Sequence, residues 1–195
     1  MSFSRLLLVA ASSKKYISGE GQDKVLVLPR RSLSSGDPYT GEIILCFQLD
    51  DAKDKNKLVA QSLGIQKDDQ RCDGLIFYAH DEKEEKVICL VEMKSTNDAG
   101  AAKQIKSTRD HMKSLLQDEC GSHCSKQLQR IKRKACFYHH GASPDNVVSV
   151  LKQLKKDNFD DVDDFTIANN DVGPFLRGEV NTKELANKLR RGKKR

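Results

Sequence analysis

Residues 71–108 read RCDGLIFYAHDEKEEKVICLVEMKSTNDAGAAKQIKST, and the alternation inside this stretch decides the architecture of the chain. Asp73 opens an apolar, β-branched and aromatic run, Leu75-Ile76-Phe77-Tyr78. A charged tip from Asp81 to Lys86 follows, and then Val87-Ile88-Cys89-Leu90-Val91, which ends in Glu92-Met93-Lys94. Two short apolar runs joined by a polar, turn-rich tip predict a β-hairpin. Side chains alternate between the faces of a strand, so Glu92 and Lys94 leave on one side while Met93 points into the core. In the ordinary hairpin register the start of the first strand lies beside the end of the second. Asp73 is therefore expected next to Glu92 and Lys94.

Two carboxylates and a lysine at one spot have a chemical use. Magnesium and similar hard cations take oxygen ligands, commonly one or two carboxylates plus substrate phosphate. Such an ion polarises a phosphoryl oxygen and acidifies a bound water, which a neighbouring lysine can orient or deprotonate. An E-x-K tripeptide alone carries little weight in a chain that is 32% charged, where an exposed Glu and Lys solvating each other is the ordinary case. Its place at the end of an apolar strand, after a strand that starts with Asp, is what raises the signal. Gln104 joins the set. Asn97 or Asp98 can cap a helix running to about Gln117, with Ala101, Ile105, Thr108, Met112 and Leu115 on one face and Gln104 bordering it at the first turn.

Asp73…Glu92-Met93-Lys94 resembles the PD-(D/E)XK nuclease signature, the active-site pattern of restriction-endonuclease-like folds. Gln104, with Thr108 one turn later, is similar to the helix-borne glutamine motif of some branches of that superfamily. The resemblance covers roughly residues 40–140, by motif order and strand–helix pattern; Cys72 stands where the usual proline would precede the aspartate. It implies a single α/β domain, a mixed sheet flanked by helices, over residues 1–180, with a short helix and basic tail over 181–195. It implies a magnesium- or manganese-dependent endonuclease hydrolysing phosphodiester bonds, DNA being preferred because the superfamily mostly cuts DNA. Asp73 and Glu92 would bind the metal with the backbone carbonyl of Met93, Lys94 would activate or position the attacking water, and Gln104 would support them. The upstream glutamate of the family has Glu42 as its best candidate. Enzymes of this type often act as dimers, so a homodimer is implied, although no stretch stands out as a dimerisation element. The alternatives are a non-catalytic nucleic-acid-binding module, or an accessory interaction subunit, that keeps the fold.

The rest of the 195-residue chain is read around this core. Its net charge of +6 makes a polyanionic partner plausible. No apolar run reaches the length of a membrane span. The segment Met1–Ser13 mimics a weak signal peptide, but its short apolar core suits a first strand or helix better. Val25–Leu28 reads as a strand. Arg30 to Pro38 reads as a loop, its arginines solvated or touching phosphate. Glu42 to Leu49 is an apolar run that suits a strand or a helix, since periodicity does not separate the two at this length. Lys57 to Leu63 predicts a helix closed by Gly64.

Cys120, Cys124, Cys136 and His139 could hold structural zinc, although their spacing matches no common finger. Buried free thiols in a reducing cytoplasm are the ordinary reading, and a cytoplasmic location is expected. Lys126, Arg130, Lys132, Arg133 and Lys134 form the densest interior basic segment, either a solvated face or a contact to the nucleic-acid backbone. Ser143-Pro144 opens a helix with Val147, Leu151 and Leu154 buried. Asp160, Asp161, Asp163 and Asp164 read as a solvated loop before a strand at Phe165–Ala168. Asn181–Glu184 resembles a capping box for a last helix, and Arg190–Arg195 is a basic tail.

Overall fold

The sheet grows outward from the predicted hairpin. The structure is a computed structural model that describes residues 25–28, 31–34, 42–50, 58–80, 85–94, 100–120, 131–166 and 171–179. In chain order these form β1 (Val25–Leu28), β2 (Arg31–Ser34), β3 (Glu42–Gln48), α1 (Leu58–Ser62), β4 (Gly74–His80) and β5 (Glu85–Lys94). Then come α2 (Ala101–Cys120), β6 (Ile131–His139), α3 (Pro144–Lys156), β7 (Asp161–Phe165) and α4 (Gly173–Arg177).

Strands β3 to β7 make one mixed five-stranded sheet in sequence order. The pairs β3–β4 and β4–β5 are antiparallel, whereas β5–β6 and β6–β7 are parallel. A parallel pair needs a crossover connection, and α2 and α3 provide the two. Both helices cover the same face, where Ile105, Met112, Val147, Leu151 and Leu154 pack with Leu75, Leu90, Phe137 and Val162. The other face is a second core of Ile76, Tyr78, Cys89, Val91, Met93 and Tyr138 under Val172, Phe175 and Leu176. Burial on both faces is why Val87–Val91 is continuously apolar, as central strands of such sheets are. The chain is thus of the α/β class, with helices on a single mixed sheet.

Local chemistry sets the ends of the helices. Gly64 closes the turn after α1 with φ of +76°, a conformation glycine adopts without steric cost. Ser143 Oγ accepts the Asn146 amide at 3.3 Å, Pro144 occupies the first turn, and Lys155 and Lys156 face the negative end of α3. Ser143→Ala is expected to cost about 1 kcal/mol, read as a lower denaturation midpoint with an unchanged slope.

Several expectations are settled or corrected here. Residues 42–48, open to helix or strand, are a strand, because Ile44 enters one core and Phe47 the other. Residues 31–34 are a strand paired with β1 through Leu28↔Arg31, where a loop was expected; pairing overrides the turn preference of the serines. The acidic residues Asp161, Asp163 and Asp164 lie in β7, not in a loop, since side chains of β6 meet two of them: Lys134 lies 3.7 Å from Asp161 and His139 Nε2 3.4 Å from Asp164. Helix α2 runs on to Cys120, and α4 had no expectation attached. The caps at Asn97 or Asp98, the first segment, the closing helix and the basic tail lie outside the described residues. Among the described residues no helix is long and apolar enough to cross a membrane.

Candidate active site

The β4–β5 register places Gly74 opposite Val91, and so brings Asp73 level with Glu92 at the mouth of the hairpin. The Asp73 amide donates to Glu92 Oε2 at 3.2 Å, and the Met93 amide donates to Asp73 Oδ2 at 2.7 Å. The Asp73 carbonyl accepts from the Leu49 amide at 2.8 Å, which ties the mouth to the end of β3. Glu92 is fully buried, and Lys94 brings its Nζ to 2.6 Å from Glu92 Oε1 while a quarter of its side chain stays exposed. That ammonium is the one partner Oε1 has among the described side chains, so the buried carboxylate oxygen depends on Lys94 alone.

This environment holds the Glu92 pKa up at about 8. Burial is the largest cause and the Asp73 charge the next, with Lys94 pulling the other way. Burial beside another carboxylate outweighs the single ammonium here, and a bound cation would add the charge that favours the ionised form. The donor set fits such an ion. Along a strand, the amide and carbonyl of one residue point to the same neighbour. The Met93 amide faces Asp73, so the Met93 carbonyl is directed to that side too. Two carboxylates and a carbonyl suit a hard cation that keeps several waters. No group of three or more His, Cys, Asp or Glu side chains that could hold a metal ion is found among the described residues.

Helix α2 secures this corner from behind. Gln104 Nε2 donates to the Arg71 carbonyl at 3.0 Å. The Thr108 hydroxyl accepts the Cys72 amide at 2.9 Å and donates to the Gln104 carbonyl at 3.0 Å. The helix thus grips the two residues before Asp73, and Gln104 acts here as a positioning residue through the backbone. Cys72 itself is buried, its thiol pKa pushed far up chiefly by that burial, and is inert. Thr108→Val leaves the Cys72 amide buried without its acceptor and is expected to cost roughly 1–3 kcal/mol, checked by denaturant unfolding.

Other candidates go elsewhere. Glu42 pairs with His80, six residues along the sheet from the Gln48–Gly74 pair, or roughly 20 Å at strand rise. It also leaves the opposite face, bonded to Arg177 and Tyr78, so it does not join Asp73 and Glu92. The described part of the basic segment is at the other end as well: Lys132 pairs with Val87, whereas the site lies at the Lys94 end. Lys132 and Arg133 are exposed there. Lys134 is buried, donating to the Phe175 carbonyl at 2.6 Å with its charge 5.0 Å from that ring, and is no nucleic-acid contact. Lys126 and Arg130 lie outside the described residues. Of the zinc candidates, Cys136 and His139 alone have described side chains. Cys136 and His139 are three apart on β6, so they leave opposite faces, and Cys136 Sγ rests 3.8 Å from Cys89 Sγ. Cys124 lies outside the described residues.

One neighbour of the site was missed. His139 is in register with Lys94 and shares its face. His139 Nε2 lies 3.4 Å from Asp164 Oδ2, and its ring stacks on Phe137 at 5.4 Å between centroids. The His140 amide donates to the Lys94 carbonyl at 3.2 Å. The alternation of Ala135, Phe137 and His139 carried part of this signal, but the parallel register that sets them beside β5 did not. No protein-family model matches this chain, and no curated protein and no solved structure matches it either.

Proposed function

We propose that this chain is a metal-dependent nuclease that hydrolyses phosphodiester bonds, in DNA by preference, with a fold of the restriction-endonuclease-like type. The observation that carries the reading is the meeting of Asp73, Glu92 and Lys94 at the hairpin mouth, with Glu92 fully buried and the Lys94 ammonium 2.6 Å from it. The order of parts agrees with the PD-(D/E)XK resemblance: Asp before one strand, E-x-K ending the next, Gln on the following helix, all on a mixed sheet. Asp73, Glu92 and the Met93 carbonyl would hold magnesium or manganese. When bound, that ion polarises the phosphoryl oxygen and acidifies water. Lys94, partly exposed beside Glu92, orients the attacking water and offsets charge developing on the phosphate. Gln104 and Thr108 keep Asp73 in place through the backbone of Arg71 and Cys72.

A specific observation favours a second reading. Each carboxylate already accepts a backbone amide, so the same contacts serve as a latch closing the hairpin in a non-catalytic module. Cleavage of linear, circular and single-stranded DNA and of RNA, with magnesium or manganese, separates the two. The nuclease reading expects cutting by the wild type, none by Glu92→Gln and a roughly 10²–10⁴-fold loss in Lys94→Ala. Metal-independent binding with no cutting by any of the three leaves the latch.

A further inference from the structure

We propose that the groove between the residue 66–71 loop and the outer face of α2 holds the phosphates next to the scissile one, so that the substrate is a polynucleotide strand and not a small phosphate ester. The inference rests on the nuclease reading above. The groove has a volume of about 340 Å³ and is lined by Gln70, Lys103, Lys106, Ser107, Asp110 and His111.

Its position follows from the contacts that build the site. Gln70 is three residues before Asp73, so the two lie within about 10 Å along the chain. Arg71, between them, is held to α2 by Gln104. A strand whose scissile phosphate rests at Asp73 and Glu92 therefore has the groove beside its next phosphates.

Its composition is that of a phosphate track. Two lysines, a glutamine, a serine and a histidine line it, against one carboxylate. That carboxylate, Asp110, is met by Lys106 at 2.8 Å and Arg109 at 2.7 Å. Burial alone would raise its pKa, but these two cations hold it below the ordinary value, so its charge is answered within the protein. Asp69 Oδ2 lies 3.4 Å from His111 Nε2. Lys103, the other lysine of the groove, is exposed, and its charge is the surplus left once Lys106 has met Asp110. The carboxylates of the site repel a polyanion, and this surplus offsets the repulsion from close by. The basic residues at the start of β6 do not serve that purpose, being at the other end of the strand. Contacts of this kind give salt-dependent affinity without sequence preference.

The test is the binding of a single-stranded DNA oligonucleotide to the full chain in chelator, over a series of salt concentrations. Lys103→Gln and Lys106→Gln are compared with Lys113→Gln, an exposed lysine on the same helix that does not line the groove. Each groove variant should make the dependence of log K on log salt shallower by about 0.7, the single-strand value for one phosphate contact, and the control should not. With magnesium added, the preference for cutting a long oligonucleotide over a dinucleotide should shrink in the groove variants. Wild-type slopes in both groove variants, an equal change in the control, or no binding by the wild type would each overturn the proposal. If the wild type binds with these slopes yet cuts nothing, the groove stands and the nuclease reading fails. If it cuts but the groove lysines leave both readouts alone, the nuclease reading stands and the groove fails.

Discussion

Glu92→Gln should abolish metal-dependent cleavage and at the same time make the metal-free protein more stable at alkaline pH. The loss of activity is expected to exceed the roughly 10²–10⁴-fold typical of removing a single proton-transfer group, because the ion loses a charged ligand. Lys94→Ala should fall within that range. The gain in stability follows from the raised pKa. Folded Glu92 keeps its proton up to about pH 8, whereas an ordinary glutamate releases it near 4.5. Between those values the folded state binds the extra proton, so stability falls as pH rises. Below 4.5 both states are protonated and the effect vanishes; above 8 the full cost of burying the charge beside Asp73 is present. A neutral glutamine accepts the Asp73 amide without that cost, so the variant's melting temperature should decline less across this window. Magnesium should restore the wild type, by about 2.7 kcal/mol at a hundredfold excess over its dissociation constant, and should leave Glu92→Gln unmoved. Thermal melts over pH, with and without magnesium, read all of this independently of cleavage. A variant that loses stability at every pH would mark Glu92 as a latch and nothing more.

Arg177→Ala should be among the most destabilising substitutions in the chain, at roughly 3–5 kcal/mol. Arg177 Nε and one terminal nitrogen meet the two oxygens of Glu42 at 2.9 and 3.0 Å, and the Tyr78 hydroxyl donates to the same carboxylate at 3.0 Å. Both charged side chains are almost wholly buried, at 5% and 1% exposure. Removing the guanidinium strands a carboxylate in an apolar core and unpins α4 from β3. Replacing both partners by apolar residues of similar volume should cost far less, since no lone buried charge remains. Glu42→Gln in turn should leave cleavage per folded molecule intact. Loss of cleavage without loss of folding would return Glu42 to the metal site. Denaturant unfolding of the single and double variants, alongside the cleavage assay, provides the check.

How much of this could be read from residues alone depends on the reach of the interaction. The hairpin, the level placement of Asp73 and Glu92, and the shared face of Glu92 and Lys94 follow from period-two alternation around a short tip. The start of α3 and the glycine after α1 follow from capping chemistry within a single turn. Those features were determined by sequence, because the groups that decide them lie within a few residues, or within one hairpin, of each other. What the tertiary structure alone decided depends on which strands become neighbours. Glu42 has the residue type of a metal ligand, yet pairing with His80 sends it to the far end and the other face, where Arg177, 135 residues away, claims it. Lys134 sits in the most basic stretch of the interior, yet its place in a strand covered by α4 buries it. The acids of β7 look like a solvated loop until the parallel register supplies Lys134 and His139 as partners. In each case a charged side chain became structural because a partner remote in sequence offset the cost of its burial, and only the packed sheet brings that partner into reach.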